Sequence, residues 1–285
     1  WIAPFTTYVR GARAPADETV DALAALMRAG LALPIVAKPD LGCRGAGVRP
    51  IRTKAELSSY LAGFPIGQTI VLQRLADVEG EAGVFYVREP GAERGRIFSL
   101  TLKHFPHVIG NGISTLRELI ARDPRAGQLP HLYLHRHEGR LDEVVPKGER
   151  VRLAFAGSHS RGAIFRDGAR HVTEALERRF DAIARDIPEF WFGRFDVRFA
   201  DFEAFRRGED LTIVEVNGAG AEATHIWDSR TRLRDAYRTL FRQFGLLWAI
   251  GAANRRRGFR PEPWRAFLDR WLTERRLVGV YPPTA

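Results

Sequence analysis

The stretch Arg194-Phe195-Asp196-Val197-Arg198-Phe199 decides the fold class, because charged and apolar residues alternate along it without a break. Successive side chains of a β-strand point to opposite faces, so the three charged residues share one face and the three apolar residues share the other. A strand that alternates in this way packs one side on a core and keeps the other side polar. We predict a sheet with a charged face built around this stretch.

A second stretch, Thr212-Ile213-Val214-Glu215-Val216-Asn217, predicts a neighbouring strand with a polar end. Glu215 and Asn217 are two residues apart and therefore lie on the same side of that strand. If the two strands pair, Asp196 joins them, and the three side chains supply the hard oxygen ligands that Mg²⁺ prefers. The alternative interpretation is that both strands simply end in solvated polar residues.

Near the start of the chain, Lys38 ends a predicted strand and precedes a loop with glycines at 42, 45 and 47. An ammonium group contacts one phosphate well, and the backbone amides of a glycine loop can cover others. The loop is neither a Walker loop nor a dinucleotide fingerprint, since no Gly-Lys-Ser/Thr follows and no helix opens there. An ordinary glycine-rich hairpin is the alternative.

The remaining periodicities surround these stretches with mixed elements and predict an α+β chain. Helices are predicted over 17–29, 54–61, 115–122, 173–186, 230–254 and 263–274. Strands are predicted over 33–38, 48–51, 69–75, 82–88, 96–103, 192–199 and 211–217. Residues 123–150 are polar and rich in His, and we predict a mobile excursion there.

The composition of the chain limits its partners and the kinds of site that it can contain. The 285 residues carry 44 basic and 34 acidic side chains, a net charge of +10 that favours polyanionic partners such as nucleotides, nucleic acid or an acidic membrane surface. The single Cys43 leaves no disulfide and no thiolate cluster for zinc. No apolar run is long enough to span a bilayer, so we expect a cytoplasmic protein.

Six stretches resemble the ATP-grasp superfamily, in particular the carboxylate-amine ligases around D-alanine:D-alanine ligase and the ATP-grasp part of cyanophycin synthetase. They follow one another in the family order: 34–40 with the glycine loop, 71–81, 107–120, 145–153, 193–197 and 213–217. This resemblance implies an ATP-grasp fold of two α+β lobes that clamp ATP between antiparallel sheets, with a C-terminal helical extension. The implied domains are an N-terminal lobe over 1–75, a C-terminal lobe with the metal site over 76–228 and a helical segment over 229–285. A preceding N-terminal domain is expected to be missing from this sequence.

The resemblance also implies roles for individual residues. Lys38 and Lys103 would contact phosphates of ATP, together with Gly42, Gly45 and Gly47 of the loop. The backbone of Gln73, Arg74 and Leu75 would line the adenine slot, and Glu81 would accept a hydrogen bond from the ribose, with Glu79 as its rival. Asp196, Glu215 and Asn217 would hold one or two Mg²⁺ ions, for which Mn²⁺ is an alternative. Arg194 would steady the transferring phosphoryl group, and Arg161, with His159, would bind the substrate carboxylate.

The implied reaction activates a carboxylate as an acyl phosphate, and an amine then displaces the phosphate to give an amide, ADP and phosphate. Residues 218–225 lack the Pro-Gly turn of D-alanine:D-alanine ligases. The D-alanyl-D-alanine dipeptide is therefore not the expected product. A kinase that phosphorylates a small molecule, and a non-catalytic basic protein that binds nucleotide or nucleic acid, are the alternatives. We expect small-molecule carboxylate and amine substrates rather than nucleic acid, and a homo-oligomer stays open.

Overall fold

A computed structural model describes residues 1–155, 157, 159 and 162–284 of the chain. The described residues form two compact units. The first unit contains residues 1–4, 76–103 and 165–271, and the second contains residues 5–75, 104–164 and 272–284. The domain boundaries predicted from the sequence stay a prediction.

Antiparallel pairing dominates the sheets, as predicted for an α+β chain. The strands are β1 (Phe5–Val9), β2 (Ile35–Pro39), β3 (Arg49–Ile51), β4 (Thr69–Arg74), β5 (Gly80–Val87), β6 (Arg96–His104), β7 (His107–Ile109), β8 (Arg150–Arg152), β9 (Ile164–Asp167), β10 (Phe192–Phe199) and β11 (Thr212–Asn217). The helices are α1 (Pro15–Arg28), α2 (Lys54–Gly63), α3 (Leu116–Arg122), α4 (Pro130–Tyr133), α5 (Glu174–Arg185), α6 (Phe202–Arg206), α7 (Leu233–Arg256) and α8 (Trp264–Val278). The predicted α+β class with a C-terminal helical segment is confirmed.

The first unit is built on a five-stranded sheet in the order β11-β10-β5-β6-β9. Its apolar face carries the buried Phe195 and Val197 of β10, which pack in one core with Leu176 and Phe180 of α5. The alternation along β10 therefore has the predicted effect: one face is core and the opposite face carries the charges.

The second unit contains a four-stranded sheet in the order β1-β4-β2-β3. Leu26 of α1 and Tyr60 of α2 are buried in a core with Ile35 of β2 and Leu72 of β4. Helix α2 begins where the sequence predicts, because Thr53 and Glu56 form a capping box at its first turn.

Strands β1, β7, β8 and β9 and helices α4 and α6 were not predicted from the sequence. Strand β1 was not predicted, since Phe5-Thr-Thr-Tyr-Val9 is a short edge strand without a buried face and is defined by its pairing with β4. The predicted mobile excursion over 123–150 is wrong, because Tyr133, Leu141 and Val145 are buried in a core of their own. No helix among the described residues is long and apolar enough to cross a membrane.

Candidate active site

The polar face of the five-stranded sheet holds a buried network of charges. Lys103 Nζ lies 3.0 Å from Glu81 Oε1 and 3.0 Å from Asp196 Oδ1, and none of the three side chains is more than 6% exposed. Glu81 of β5 is directly opposite Lys103 of β6 in the strand register, and β10 brings Asp196 from the other side of β5. Three adjacent strands therefore supply one cation and two carboxylates to a single point.

Two arginines of β10 complete the network. Arg194 Nε lies 3.0 Å from Asp196 Oδ1, and Arg198 Nε lies 2.7 Å from Glu81 Oε2. The inner network thus has three cations for two carboxylates. Buried charges are tolerated when each is paired and hydrogen-bonded, and these contacts meet that requirement. The surplus of positive charge suits an anionic ligand.

The charges shift one another's pKa values in the direction that keeps them ionised. Burial by itself raises the pKa of Asp196, but Lys103 and Arg194 outweigh it and hold that pKa below its usual range. Burial by itself lowers the pKa of Lys103, but Asp196 and Glu81 outweigh it and raise that pKa. Lys103 and Asp196 therefore stabilise each other's charged form.

Gly83 of β5 has no side chain and so leaves space for two side chains of the network. It lies opposite Asp196 in the register, and a Cβ at this position would be 3.0 Å from Arg194 Cδ and 3.3 Å from Asp196 Oδ1. A larger residue would require both side chains to shift by a few tenths of an ångström. We therefore add Gly83 to the site residues, although the sequence alone gave no indication of it.

The three predicted metal ligands lie together on β10 and β11. Asp196 is opposite Glu215 and Arg194 is opposite Asn217, and Asn217 Nδ2 donates to Asp196 Oδ2 at 3.4 Å. Glu215 is exposed, so its carboxylate can be reached from solvent. The part of the chain that the structure describes contains no group of three His, Cys, Asp or Glu arranged for a metal, so this set depends on the amide of Asn217 as its third oxygen donor. The donor chemistry of two carboxylates and one amide oxygen fits Mg²⁺.

The segment after Asn217 is held over β6 by contacts that the sequence did not predict. Thr224 Oγ1 donates to Thr101 Oγ1 at 3.0 Å, and His225 Nδ1 lies 3.1 Å from Ser99 Oγ. Burial lowers the pKa of His225, so its ring is largely neutral at pH 7. Glu222 contacts the network through its backbone oxygen, which accepts from Arg194 Nη1 at 2.9 Å, and the charge of its carboxylate also helps to raise the pKa of Arg194.

The second unit carries the predicted nucleotide residues. Lys38 Nζ donates to Gln73 Oε1 at 2.9 Å, since β2 and β4 are paired side by side. Lys38 is half-buried and Gln73 is buried. Arg74 and Leu75 follow Gln73 at the end of β4, with Arg74 exposed.

The glycine loop of the second unit has a conformation that requires glycine. Gly45 and Gly47 have φ values of +71° and +70°, and a Cβ on Gly47 would lie 2.8 Å from Pro39 Cγ. Gly42 lies in the exposed part of the same loop.

Residues from the end of the chain hold that loop in place. Tyr281 Oη donates to the carbonyl oxygen of Leu41 at 2.6 Å, and Thr284 Oγ1 donates to that of Gly45 at 2.9 Å. More than 230 residues separate these partners, so no local sequence pattern could have indicated them.

Two predicted residues need separate mention. Glu81, expected at the ribose, has its two carboxylate oxygens in ion pairs with Lys103 and Arg198. Arg161, expected at the substrate carboxylate, lies outside the described residues.

Comparison with known proteins agrees with the sequence resemblance. The chain matches no family model. It is 23% identical over 209 residues to a glutathione biosynthesis bifunctional protein, GshAB, of Streptococcus mutans, which covers 65% of this chain and 26% of that protein. The GshAB of Streptococcus agalactiae is 25% identical over 174 residues, which covers 55% of this chain and 22% of that protein. The chain thus spans about a quarter of the length of the curated relatives it matches.

Two solved structures are similar over 86% of this chain. One is a bifunctional glutathione synthetase from Pasteurella multocida, with 16% identity, 34% of that chain covered and a TM-score of 0.40. The other is the VanG D-Ala:D-Ser ligase from Enterococcus faecalis, with 12% identity, 57% of that chain covered and a TM-score of 0.43. At these TM-scores we transfer no residue from either structure. The chain is similar to ATP-grasp ligases that form C–N bonds, as its sequence predicts.

Proposed function

We propose that the chain is an ATP-dependent, ADP-forming ligase that joins a carboxylate to an amine through an acyl phosphate. The observation that carries this proposal is the buried network around Asp196, with three cations for two carboxylates. Phosphoryl transfer needs charge neutralisation and alignment more than it needs a covalent nucleophile. A rigid, cation-rich sheet face provides both.

Lys103 and Arg194 are the residues that we assign to the transferring phosphoryl group. Both cations are already fixed by Asp196, so they need little reorganisation when charge develops on the phosphoryl oxygens. Arg194 would also stabilise the oxyanion that forms when the amine attacks the acyl phosphate. The amine nitrogen then forms a bond to the carbonyl carbon, phosphate leaves with the electron pair of the C–O bond, and the amine loses a proton.

Asp196, Glu215 and Asn217 are the residues that we assign to the divalent ion. Bound there, Mg²⁺ would neutralise phosphate charge and act as a Lewis acid. The exposed Glu215 is the ligand that approaches without breaking the inner network, whereas Asp196 would share its charge between the ion and the two cations that it already contacts.

The second unit supplies the residues that we assign to the nucleotide. Lys38 and the amides of the glycine loop would contact phosphates, and the backbone of Gln73 to Leu75 would contact adenine. Because Glu81 forms ion pairs with Lys103 and Arg198, we infer that it positions Lys103. The ribose stays assigned to Glu81, with Glu79 as the alternative. Arg161 stays our proposal for the substrate carboxylate.

A paired substitution tests the proposed metal role. ADP release is measured with Mg²⁺-ATP, a panel of carboxylates and a panel of amines, and the carboxylates include amino acids and peptides because the curated relatives are named for glutathione biosynthesis. We expect Glu215→Gln to lower substrate-dependent ADP release by about 10²-fold, the usual effect of losing one preorganised charge-stabilising group.

Glu222→Gln is the matched control on the same segment. Its side chain accepts from Trp227 Nε1 at 2.7 Å, and its contact with Arg194 uses the backbone oxygen, which the substitution keeps. The charge of Glu222 also acts on Arg194, so we expect a loss of ADP release that is much smaller than that of Glu215→Gln. Equal losses in the two folded variants, or a failure of wild-type protein to bind Mg²⁺-ATP at millimolar concentration, would contradict the proposal.

A further inference from the structure

Helix α7 carries a stripe of exposed apolar side chains that the core does not use. The stripe residues are spaced three or four positions apart, so they lie on one helix face, and each is between 55% and 78% exposed. The stripe consists of Leu233, Tyr237, Phe241, Phe244 and Trp248. Soluble surfaces rarely expose aromatic residues in a continuous row, and such a row marks an interaction site.

A different face of α7 attaches the helix to the first unit. Ile250 is buried in a cluster with Phe85 and Phe192, and the buried Gln243 exchanges hydrogen bonds with Ala221 and Ala223. The exposed stripe is therefore presented by a helix that is fixed to the unit through its other side.

Arginines lie beside the stripe. Arg234, Arg238 and Arg242 repeat every four residues and are exposed, so they form a second row along the same helix. Residues 229–285 contain 13 arginines, no lysine and four acidic residues, and thus hold nine of the ten net positive charges of the chain. The rest of the chain is almost neutral.

We propose that this face of α7 binds the surface of a bilayer that contains anionic phospholipids. Helices that lie in the membrane interface combine an apolar face rich in aromatic residues with a basic face, and α7 has both outside its buried side. With 24 residues it is about 36 Å long, so the two rows can contact several lipid headgroups at once. Exposed Trp264 and Phe267 of α8, in the same basic segment, add to the apolar residues available to the bilayer.

Charge and chemistry favour a lipid surface over other occupants. A second copy of the chain would bring a second set of Arg234, Arg238 and Arg242 to the interface, and juxtaposed like charges are unfavourable. RNA would neutralise the arginines, and its bases can stack on aromatic rings, so the test below includes RNA binding as an outcome. An anionic bilayer provides negative charge at the surface and hydrocarbon just below it. This inference does not depend on the proposed ligase activity.

The test is co-sedimentation of the whole chain with vesicles at 0.1 M salt. Vesicles of phosphatidylcholine with 30 mol% phosphatidylserine are compared with vesicles of phosphatidylcholine alone. We expect binding to the anionic vesicles, and we expect the triple variant R234Q/R238Q/R242Q to bind them about 100-fold more weakly, because each basic residue near an anionic surface contributes roughly fivefold. F241S/W248S should also lose binding, since the apolar contacts are removed.

The matched control is R117Q/R178Q/R207Q, which removes the same charge from exposed arginines outside the helical segment. It should bind anionic vesicles like the wild type if the face of α7 is responsible. Equal weakening by the two triple variants, equal binding to both vesicle types, or no binding to either would overturn the proposal. Self-association or RNA binding that depends on Phe241 and Trp248, without vesicle binding, would overturn it in favour of those occupants.

Discussion

Glu18 of the second unit and Asp196 of the first are both buried carboxylates, but their surroundings differ. Glu18 accepts hydrogen bonds from Tyr8 Oη at 2.6 Å and from the backbone amides of Gly11 and Arg13, and it pairs with Arg10 Nη1 at 3.0 Å. All these partners lie within ten residues along the chain. One carboxylate with one paired cation and three neutral or backbone donors is a closed, balanced arrangement that serves the fold.

Asp196 has partners from three strands, Lys103 of β6, Asn217 of β11 and Arg194 of its own strand β10, and the cations among them are in excess. Lys103 and Arg194 both contact one of its oxygens, and Asn217 contacts the other. The exposed Glu215 lies beside it across the strand pair. The difference teaches that burial of a carboxylate alone does not indicate function, whereas long-range assembly, surplus opposite charge and an exposed neighbour together do.

The largest expected effect comes from removing the cation that three strands share. Lys103→Met would leave Glu81 and Asp196 buried with fewer partners, and breaking a buried ion pair costs about 3–5 kcal/mol. We expect a loss of that size in the free energy of unfolding, measured by urea denaturation at pH 7.

Lys147→Met is the control for this substitution, because Lys147 is exposed. Its effect should stay within about 0.5 kcal/mol, as for most surface changes. Similar small effects for both variants would show that the Lys103 network does not hold the first unit together as described.

A smaller effect is expected at the other candidate lysine. Lys38→Gln removes a half-buried ammonium that donates a hydrogen bond to Gln73. If Lys38 contacts a phosphate, a charged hydrogen bond worth about 1.5–3 kcal/mol is lost, and the dissociation constant of Mg²⁺-ATP should rise about 10- to 100-fold.

Isothermal titration calorimetry measures this change, with exposed Lys54→Gln as the control. An unchanged affinity in Lys38→Gln would remove Lys38 from the nucleotide site and would leave its bond to Gln73 as a feature of the fold.

The last expected effect is the pH dependence that Glu18 contributes to stability. Burial alone raises the pKa of this carboxyl, but the hydrogen bonds from Tyr8, Gly11 and Arg13 and the charge of Arg10 outweigh it and lower the pKa from 4.5 to about 2. A carboxyl with a lowered folded-state pKa stabilises the fold above its ordinary pKa, and this contribution is lost as pH falls from 4.5 through 2. We expect the stability difference between wild type and Glu18→Gln, measured by urea denaturation, to be full at pH 7 and to shrink toward pH 2. A difference that stays constant with pH would contradict this account of Glu18.

Much of the first unit could be predicted from the sequence, because its signals are local. The alternation from Arg194 to Phe199 gave the charged face, and Glu215 and Asn217 lie across from it as the spacing predicted. The helix and strand positions around them follow from periodicity and caps.

The features that could not be predicted depend on contacts between residues that are far apart along the chain. Arg198 was placed on the charged face, but nothing local indicated that it pairs with Glu81. Gly83 is needed because the side chains of Arg194 and Asp196 lie close to its Cα. Gln243 is buried because it bonds to the segment after Asn217. The buried Tyr133 shows the same limit, since scattered apolar residues without a period gave no sign of a core.

The most direct test of the central claim is the trapping of an acyl phosphate. Wild-type protein is incubated with Mg²⁺-ATP, hydroxylamine and the carboxylate that gives the strongest ADP release, without the amine. We predict a hydroxamate of that carboxylate in step with ADP, and we predict that Arg194→Ala forms it about 10²- to 10³-fold more slowly, because one preorganised cation is lost from the phosphoryl group. ADP formation with a stable phosphate ester and no hydroxamate would contradict the ligase and identify a kinase.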